Sequence, residues 1–374
     1  MNIIYDIAII GAGIAGCMVA NEAKRRGLNI VLIDRASTPA TGGSGAAGAF
    51  ISPKLGKVTP LLSLTNQAYK YATTFYSKNY SQYFDKSGIL RLPKDTNDEP
   101  NFYHYLDKLN LKGVVFNEQD LKKYNIKNEK IGLFFKDGGV CDAQGLCLAL
   151  IDGINYKQLN VSHIEQKCEY ILIQKQIKAK KVVFATGYEG YEKTFEYMGI
   201  NGIWGSRGDF WTKSKLNISI HKNSSISCVK NSIVKLGATH IRAKNPTKAC
   251  MICNGEPLND LIQKSYQLID LKDLKLKETF CGMRSGSKDY FPLVGKVIDV
   301  EYMLKEFPQL KKGYNKAPLK YIENIYILNG FGGRGFVLAP LMAKWLIDNI
   351  VEDVNIDKRV SPDRLFLKWV RKIK

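Results

Sequence analysis

Residues 3–10, IIYDIAII, form a short β-branched apolar run interrupted by Asp6. It ends in Gly11-Ala12-Gly13-Ile14-Ala15-Gly16, after which CMVANEAKRRG spaces its apolar positions as a helix does. A second apolar run, NIVLID, closes on Asp34, eighteen positions after Gly16. The pattern predicts strand, tight turn, helix and strand within ~30 residues. Two later stretches extend the theme. KVVFATG, residues 181–187, reads as a buried strand ending in a turn; IYILNGFGGRGFVLAPLMAKWLID, residues 325–348, reads as strand, glycine loop and a helix beginning near Val337.

Each part of the first unit has a physical task. Gly11 lets the chain turn tightly, Gly13 lets backbone approach a pyrophosphate, and Gly16 lets helix and sheet pack closely. The amides of Ile14 and Ala15, at the helix N-terminus, are left for the anion. Asp34, followed by Arg35, can accept hydrogen bonds from the adenosine ribose. The bland alternative is a glycine turn that binds nothing.

Three further small-residue loops enlarge the candidate site. The run Gly43-Ser44-Gly45-Ala46-Ala47-Gly48 offers amides that could wrap a diphosphate or a flavin edge. Ala185-Thr186-Gly187 is a turn of the kind flavoproteins place against the cofactor. Gly330, Gly332, Gly333 and Gly335 permit close backbone approach, and the helix after Phe336-Val337 would aim its positive end at a flavin pyrimidine. Separated loops closing on one strand-turn-helix unit suit a long, buried FAD better than a released nicotinamide.

At 374 residues the chain has room for two domains with sizeable cores. No stretch reaches the ~20 uninterrupted apolar residues of a membrane helix, and the N-terminus lacks the basic patch of a signal peptide, so a cytoplasmic location is expected. Eight cysteines are scattered, and the Cys250/Cys253 pair lacks the second ligand pair that zinc needs. Charge changes the picture more: 55 Lys+Arg against 35 Asp+Glu give +20, a balance suited to phosphate-bearing partners. Lys311, Lys312, Lys316 and Lys320, with Lys368, Arg371, Lys372 and Lys374 in the tail, are candidate contacts for RNA.

The segments GGSGAAGAFISPKLGK, LTNQAYKYATTFY, GGVCDAQGLCLAL, VVFATGYE, SRGD, LGATH, GMRSGSKDYFPLVG and NGFGGRGFVLAPLMA together resemble the D-amino-acid oxidase (DAO) family of FAD-dependent oxidoreductases, on the branch that modifies the tRNA wobble uridine. The resemblance implies an α/β fold: a Rossmann-like, glutathione-reductase-type FAD domain plus a mostly antiparallel substrate domain. The implied bounds are 1–85, 140–205 and 320–374 for the first, 86–139 and 206–319 for the second. It implies noncovalent FAD, and adds Cys168 to the cofactor contacts. It also implies that Arg284, in the R-x-x-x-x-D-x-x-P pattern with Asp289 and Pro292, grips a substrate carboxylate, with Asp289, Phe331 and Arg334 in or near the substrate pocket. The alternative for Arg284 is a surface ion pair with Asp289.

The implied reaction is oxidative removal of the carboxymethyl group from 5-carboxymethylaminomethyl(-2-thio)uridine at the tRNA wobble position, yielding 5-aminomethyl uridine and glyoxylate. Any later methylation would fall to a separate methyltransferase, since the flavin strand begins at Ile3. Two other readings stay open: an oxidase of free glycine, sarcosine or a D-amino acid, and a catalytically idle flavoprotein that binds RNA. Ser285-Gly286-Ser287-Lys288 and Phe331 depart from the pattern common among relatives, at the edge of the expected pocket.

Overall fold

The computed structural model describes residues 3–189, 194–241 and 256–373. Cys250 and Cys253, and Lys374, lie outside the described residues.

The first sheet is built on β1 (Ile4–Ile10), β2 (Ile30–Asp34), β4 (Ile177–Phe184) and β10 (Tyr321–Asn329). β2 and β4 flank β1 in parallel, β10 lies parallel to the end of β4, and Asn155–Gln158 adds a parallel strand beyond β2. The inner strands read as near-continuous apolar runs because both faces of this sheet are covered. Helices α1 (Ile14–Arg25) and α3 (Gly335–Glu352) cover one face, and Arg26, just past α1, ties them by ion pairs to Asp348 and Glu352.

Helix α2 (Pro60–Asn79) packs on α3 and repairs a defect there. Pro340 lies inside α3 and cannot donate to the carbonyl of Phe336, one turn back. The fully buried Tyr76 hydroxyl donates to that carbonyl instead, at 2.7 Å.

The second sheet has eight strands. It runs from Val114–Asn117 through Ile131–Phe135, β3 (Ile89–Arg91), β6 (Ser219–His221), Ser225–Ile226 and β7 (Ile233–Gly237) to β5 (Asn201–Trp211) and β8 (Lys275–Gly286). All its pairings are antiparallel except β3 with β6, which sets His221 beside Arg91.

The expected combination of a Rossmann-like sheet and a mostly antiparallel one is present. All of β5, including its residues 201–205, belongs to the second sheet. Strand β9 (Leu293–Ile298), expected in the substrate domain, pairs antiparallel with β10 in the first sheet. β8 and β9 thus carry the chain directly from one layer to the other, and the functional cavity opens beside that crossing. Among the described residues no helix is long and apolar enough to cross a membrane.

Candidate active site

β1 delivers the chain to Gly11, whose φ of +103° suits glycine, and a Cβ there would lie 2.5 Å from the Ala185 carbonyl oxygen at the end of β4. A Cβ on Gly16 would fall 1.8 Å from the Gly11 oxygen, so Gly16 serves helix-to-turn packing. Gly45 does the same inside its own loop, where a Cβ would meet the Ala40 oxygen at 1.9 Å, and the Ala46 methyl packs against Gly282 of β8. Asp34 is fixed by accepting from Ala12 N at 2.6 Å and Ala36 N at 2.9 Å, and Ser44 Oγ accepts from Ile14 N at 2.9 Å. Arg35 pairs with Glu189 at the exposed rim.

From this turn a cavity of about 1500 Å³ runs to the crossing of the two sheets. Of the residues expected to hold a cofactor, it is lined by Gly11, Gly13, Ile14, Ala15, Asp34, Arg35, Gly43, Ser44, Ala47, Gly48, Ala185, Thr186, Gly187, Gly330, Gly332, Gly333, Arg334, Gly335 and Phe336. Gly43 passes so close to β8 that a Cβ would sit 2.4 Å from the Met283 oxygen. Two buried groups in the wall, Thr186 Oγ1 and Trp204 Nε1, have no hydrogen-bond partner among the described residues. A glycine cradle, a helix N-terminus and polar atoms awaiting partners fit a long dinucleotide such as FAD.

Several expectations need correction. Cys168 is exposed, in the turn between Ile164–Gln166 and Ile171–Ile173, while Leu159, Asn160 and Val161 line that end of the cavity. Asp289 does not line the cavity: it binds Arg364 through Nε and Nη2, both at 2.8 Å, and accepts from Ser287 Oγ and Phe291 N. Although burial opposes its charge, these partners hold its carboxyl below the usual range. Asp289 therefore braces the turn from β8 to β9 and does not pair with Arg284. Helix α3 starts at Gly335, two residues before the expected Val337, which packs in the core. Its first turn has neither an acidic residue nor a side-chain cap, so its amides remain available near the cavity.

Arg284 projects from β8 across Gly205 of β5, where a Cβ would come within 2.2 Å of Nη2. Its aliphatic stem passes Gly333, and Nη1 donates to the Thr239 carbonyl at 2.9 Å. Burial pushes the guanidinium down to about 10, so it stays charged at neutral pH without a carboxylate partner among the described residues. Arg334 is in the same condition, pushed down to about 10 by burial and donating to Ser52 O at 3.2 Å. Phe331 is 9% exposed and lines the cavity between these cations, where its backbone bridges to Gly286.

Sequence reasoning missed several wall residues. His221 Nδ1 lies 2.8 Å from Ser225 Oγ; burial, then Arg91, Arg334 and His240, depress its proton affinity well below the usual histidine range. Burial and Arg284 lower His240 in the same direction. Asn329 Nδ2 donates to Gly187 O at 2.7 Å, while its Oδ1 accepts from Gly330 N at 2.8 Å and Ser285 Oγ at 2.7 Å, clasping three loops at once. Lys54, His240 and Asn329 lay within quoted motifs, but His221 had no local signal.

A Rossmann-type cradle joined to a mostly antiparallel layer, with cations that have no carboxylate partner among the described residues where the two meet, is the architecture of a flavin-dependent oxidoreductase. Residues 6–349 match the DAO family, FAD dependent oxidoreductase, and the chain belongs to it. It is 23% identical over 403 residues to the tRNA 5-methylaminomethyl-2-thiouridine biosynthesis bifunctional protein MnmC of Legionella pneumophila, covering 97% of this chain and 57% of that protein. It is 26% identical over 410 residues to the protein of the same name from Leptospira interrogans, covering 99% and 62%. The chain thus spans somewhat more than half the length of these relatives. Its fold is similar to glycine oxidase from Bacillus cereus (TM-score 0.75, 18% identity, 94% and 96% of the two chains). It is also similar to iminodiacetate oxidase from Chelativorans sp. (TM-score 0.73, 16% identity, 95% and 98%). The enzyme is an FAD-dependent oxidoreductase, and its structural neighbours include proteins named for oxidising amines.

Proposed function

We propose that this enzyme removes the carboxymethyl group from 5-carboxymethylaminomethyl uridine, with or without the 2-thio group, at the tRNA wobble position, releasing glyoxylate and leaving 5-aminomethyl uridine. The observation that carries the reading is Arg284, a largely buried guanidinium with no carboxylate partner among the described residues, facing the cavity at the junction of the two layers. The substrate side chain is an N-substituted glycine, so its carboxylate can take both forks of that guanidinium. Such a grip fixes the adjacent methylene in distance and angle.

Bound FAD supplies the two-electron acceptor. Gly43, Thr186 and the Gly330–Gly335 loop would hold the cofactor, and the uncapped amides opening α3 would favour negative charge on it. Arg284 orients the carboxylate, and the Phe331 ring limits water beside it. Loss of hydride from the methylene leaves an imine on the substrate; water adds to its carbon, and the C–N bond breaks to give the amine and glyoxylate.

The basic surface supports an RNA substrate. Lys311 and Lys312 are exposed on the turn Pro308–Lys312, against which the C-terminal helix Phe366–Val370 packs, with Arg371 donating to Gly313 O at 3.4 Å. Lys368, Arg371 and Lys372 therefore share one face with them, where phosphates can be neutralised. The relatives' printed names point the same way, and a looped-out wobble base reaches a pocket at less unstacking cost than a duplex base.

The test is nucleoside mass spectrometry of tRNA, taken from cells that lack the activity, before and after incubation with the yellow holoenzyme. The carboxymethylaminomethyl nucleoside should fall as aminomethyl uridine and glyoxylate rise in equal amount. Persistence of that nucleoside while free glycine or sarcosine is consumed would replace this reading with the free amino-acid oxidase.

A further inference from the structure

We propose that Lys54 and Arg334, backed by Arg91, form a second anion subsite in the cavity, which takes an anionic group on the far end of the substrate's N-substituent. The inference rests on the reading that Arg284 takes the glycine-like carboxylate.

The Ser52–Lys54 segment gathers the three cations. Arg334 Nη1 donates to Ser52 O at 3.2 Å, and Arg91 Nη1 donates to Ser52 Oγ and Pro53 O, both at 3.1 Å. Asn66 of α2 holds Lys54 by accepting from its N–H at 2.8 Å and donating to its carbonyl at 3.0 Å. Ser52, Lys54 and Arg334 line the cavity, with Arg91 behind them at 9% exposure.

Charge balance points to a ligand. Among the described residues no carboxylate forms an ion pair with Lys54, Arg91 or Arg334, and Arg91 Nε is buried without any partner. The acid that Arg91 feels, Asp98, is already engaged by the Tyr105 hydroxyl at 2.8 Å. Burying like charges together without a counter-ion is costly, so such a cluster persists where an anion completes it. The cofactor cannot supply that anion: an oxidised isoalloxazine is neutral, and the FAD diphosphate belongs at the α1 N-terminus. Arg284 passes Gly333, the neighbour of Arg334 in the chain, and both arginines line the same cavity, so one extended substrate can reach both subsites.

The anionic group is a phosphate or a carboxylate. In the wobble-uridine reading it is a phosphate of the modified nucleotide; in a small-molecule reading it is the second carboxylate of an iminodiacetate-like amine.

Perturbation of the flavin absorbance of the holoenzyme, titrated at low salt with sarcosine, iminodiacetate and N-(phosphonomethyl)glycine, tests the subsite without requiring turnover. The doubly charged probes should bind at least ~10-fold more tightly than sarcosine, and that ratio should collapse in Lys54→Gln and survive in Lys54→Arg. Equal affinity for all three, no flavin response to either dianion, or a ratio indifferent to Lys54→Gln overturns the proposal. Carboxymethylaminomethyl uridine with and without a 5′-phosphate separates the sources: a gain from the phosphate supports the nucleotide, and a gain confined to iminodiacetate supports the dicarboxylate. tRNA turnover is read separately, so loss of the subsite and loss of the RNA function give different results.

Discussion

Replacing Arg284 by methionine should make the enzyme catalytically poor yet no less stable. Burial lowers the guanidinium to about 10. At about 1.4 kcal/mol per tenfold change in proton affinity, this corresponds to about 3 kcal/mol of desolvation that no protein carboxylate offsets. Its hydrogen bond to Thr239 O returns about 1–3 kcal/mol. The ligand-free Arg284→Met protein should therefore match the wild type or exceed it by up to about 2 kcal/mol, a Tm rise of at most a few degrees. Losing a buried charge pair with the substrate carboxylate costs about 2–5 kcal/mol, or about 30- to 5000-fold in kcat/KM. Arg284→Lys keeps the charge but not the fork and should fall between. Thermal unfolding with and without a small carboxylate, beside tRNA turnover, reads both quantities. A variant several kcal/mol less stable with unchanged kcat/KM would show that the guanidinium is a structural brace and refute the reasoning.

Other consequences are as direct. Gly16→Ala places a methyl 1.8 Å from the Gly11 oxygen, so it should yield protein without bound flavin absorbance, or no folded protein. His221 is held neutral in the fold, so the unfolded chain binds the extra proton; stability should fall as pH drops below about 6.5, and His221→Asn should flatten that slope in denaturant titrations at pH 7.5 and 5.5. Asp289→Ala should lower Tm by breaking the Arg364 brace, and if it instead weakened carboxylate binding at unchanged Tm, the bracing role would be wrong. Neutralising Lys368, Arg371 and Lys372 together should reduce the slope of log affinity for tRNA against log salt by about 2, while sarcosine binding stays as it was.

The parts of this enzyme legible in its sequence are those whose physics is local. The Gly11–Gly16 turn, the helix behind it and Asp34 lie within one βαβ unit, so spacing alone reveals them. Arg284 is recognisable because its motif is contiguous, running from the end of β8 into the turn before β9. The anion cluster was not, because Lys54, Arg91, His221 and Arg334 come from four distant segments that meet only through strand pairing, such as the parallel register of His221 with Arg91. Asp289 was misread for the same reason, its partner Arg364 being 75 residues away. Cys168 was assigned by resemblance, and the antiparallel turn that carries it puts it in solvent.

The ion pairs joining Arg26 to Asp348 and Glu352, and the pairing of β4 with β10, mean that segments 322 and 326 residues apart complete one cradle. A ribosome adding ~5–20 residues per second needs about 15–60 s to pass from the end of α1 to the start of α3. Until then the nascent β1–α1–β2 unit has exposed apolar flanks and no finished nucleotide seat. Flavin capture therefore waits on α3, and chaperone supply and cellular FAD levels, more than translation rate, should govern the yield of active enzyme.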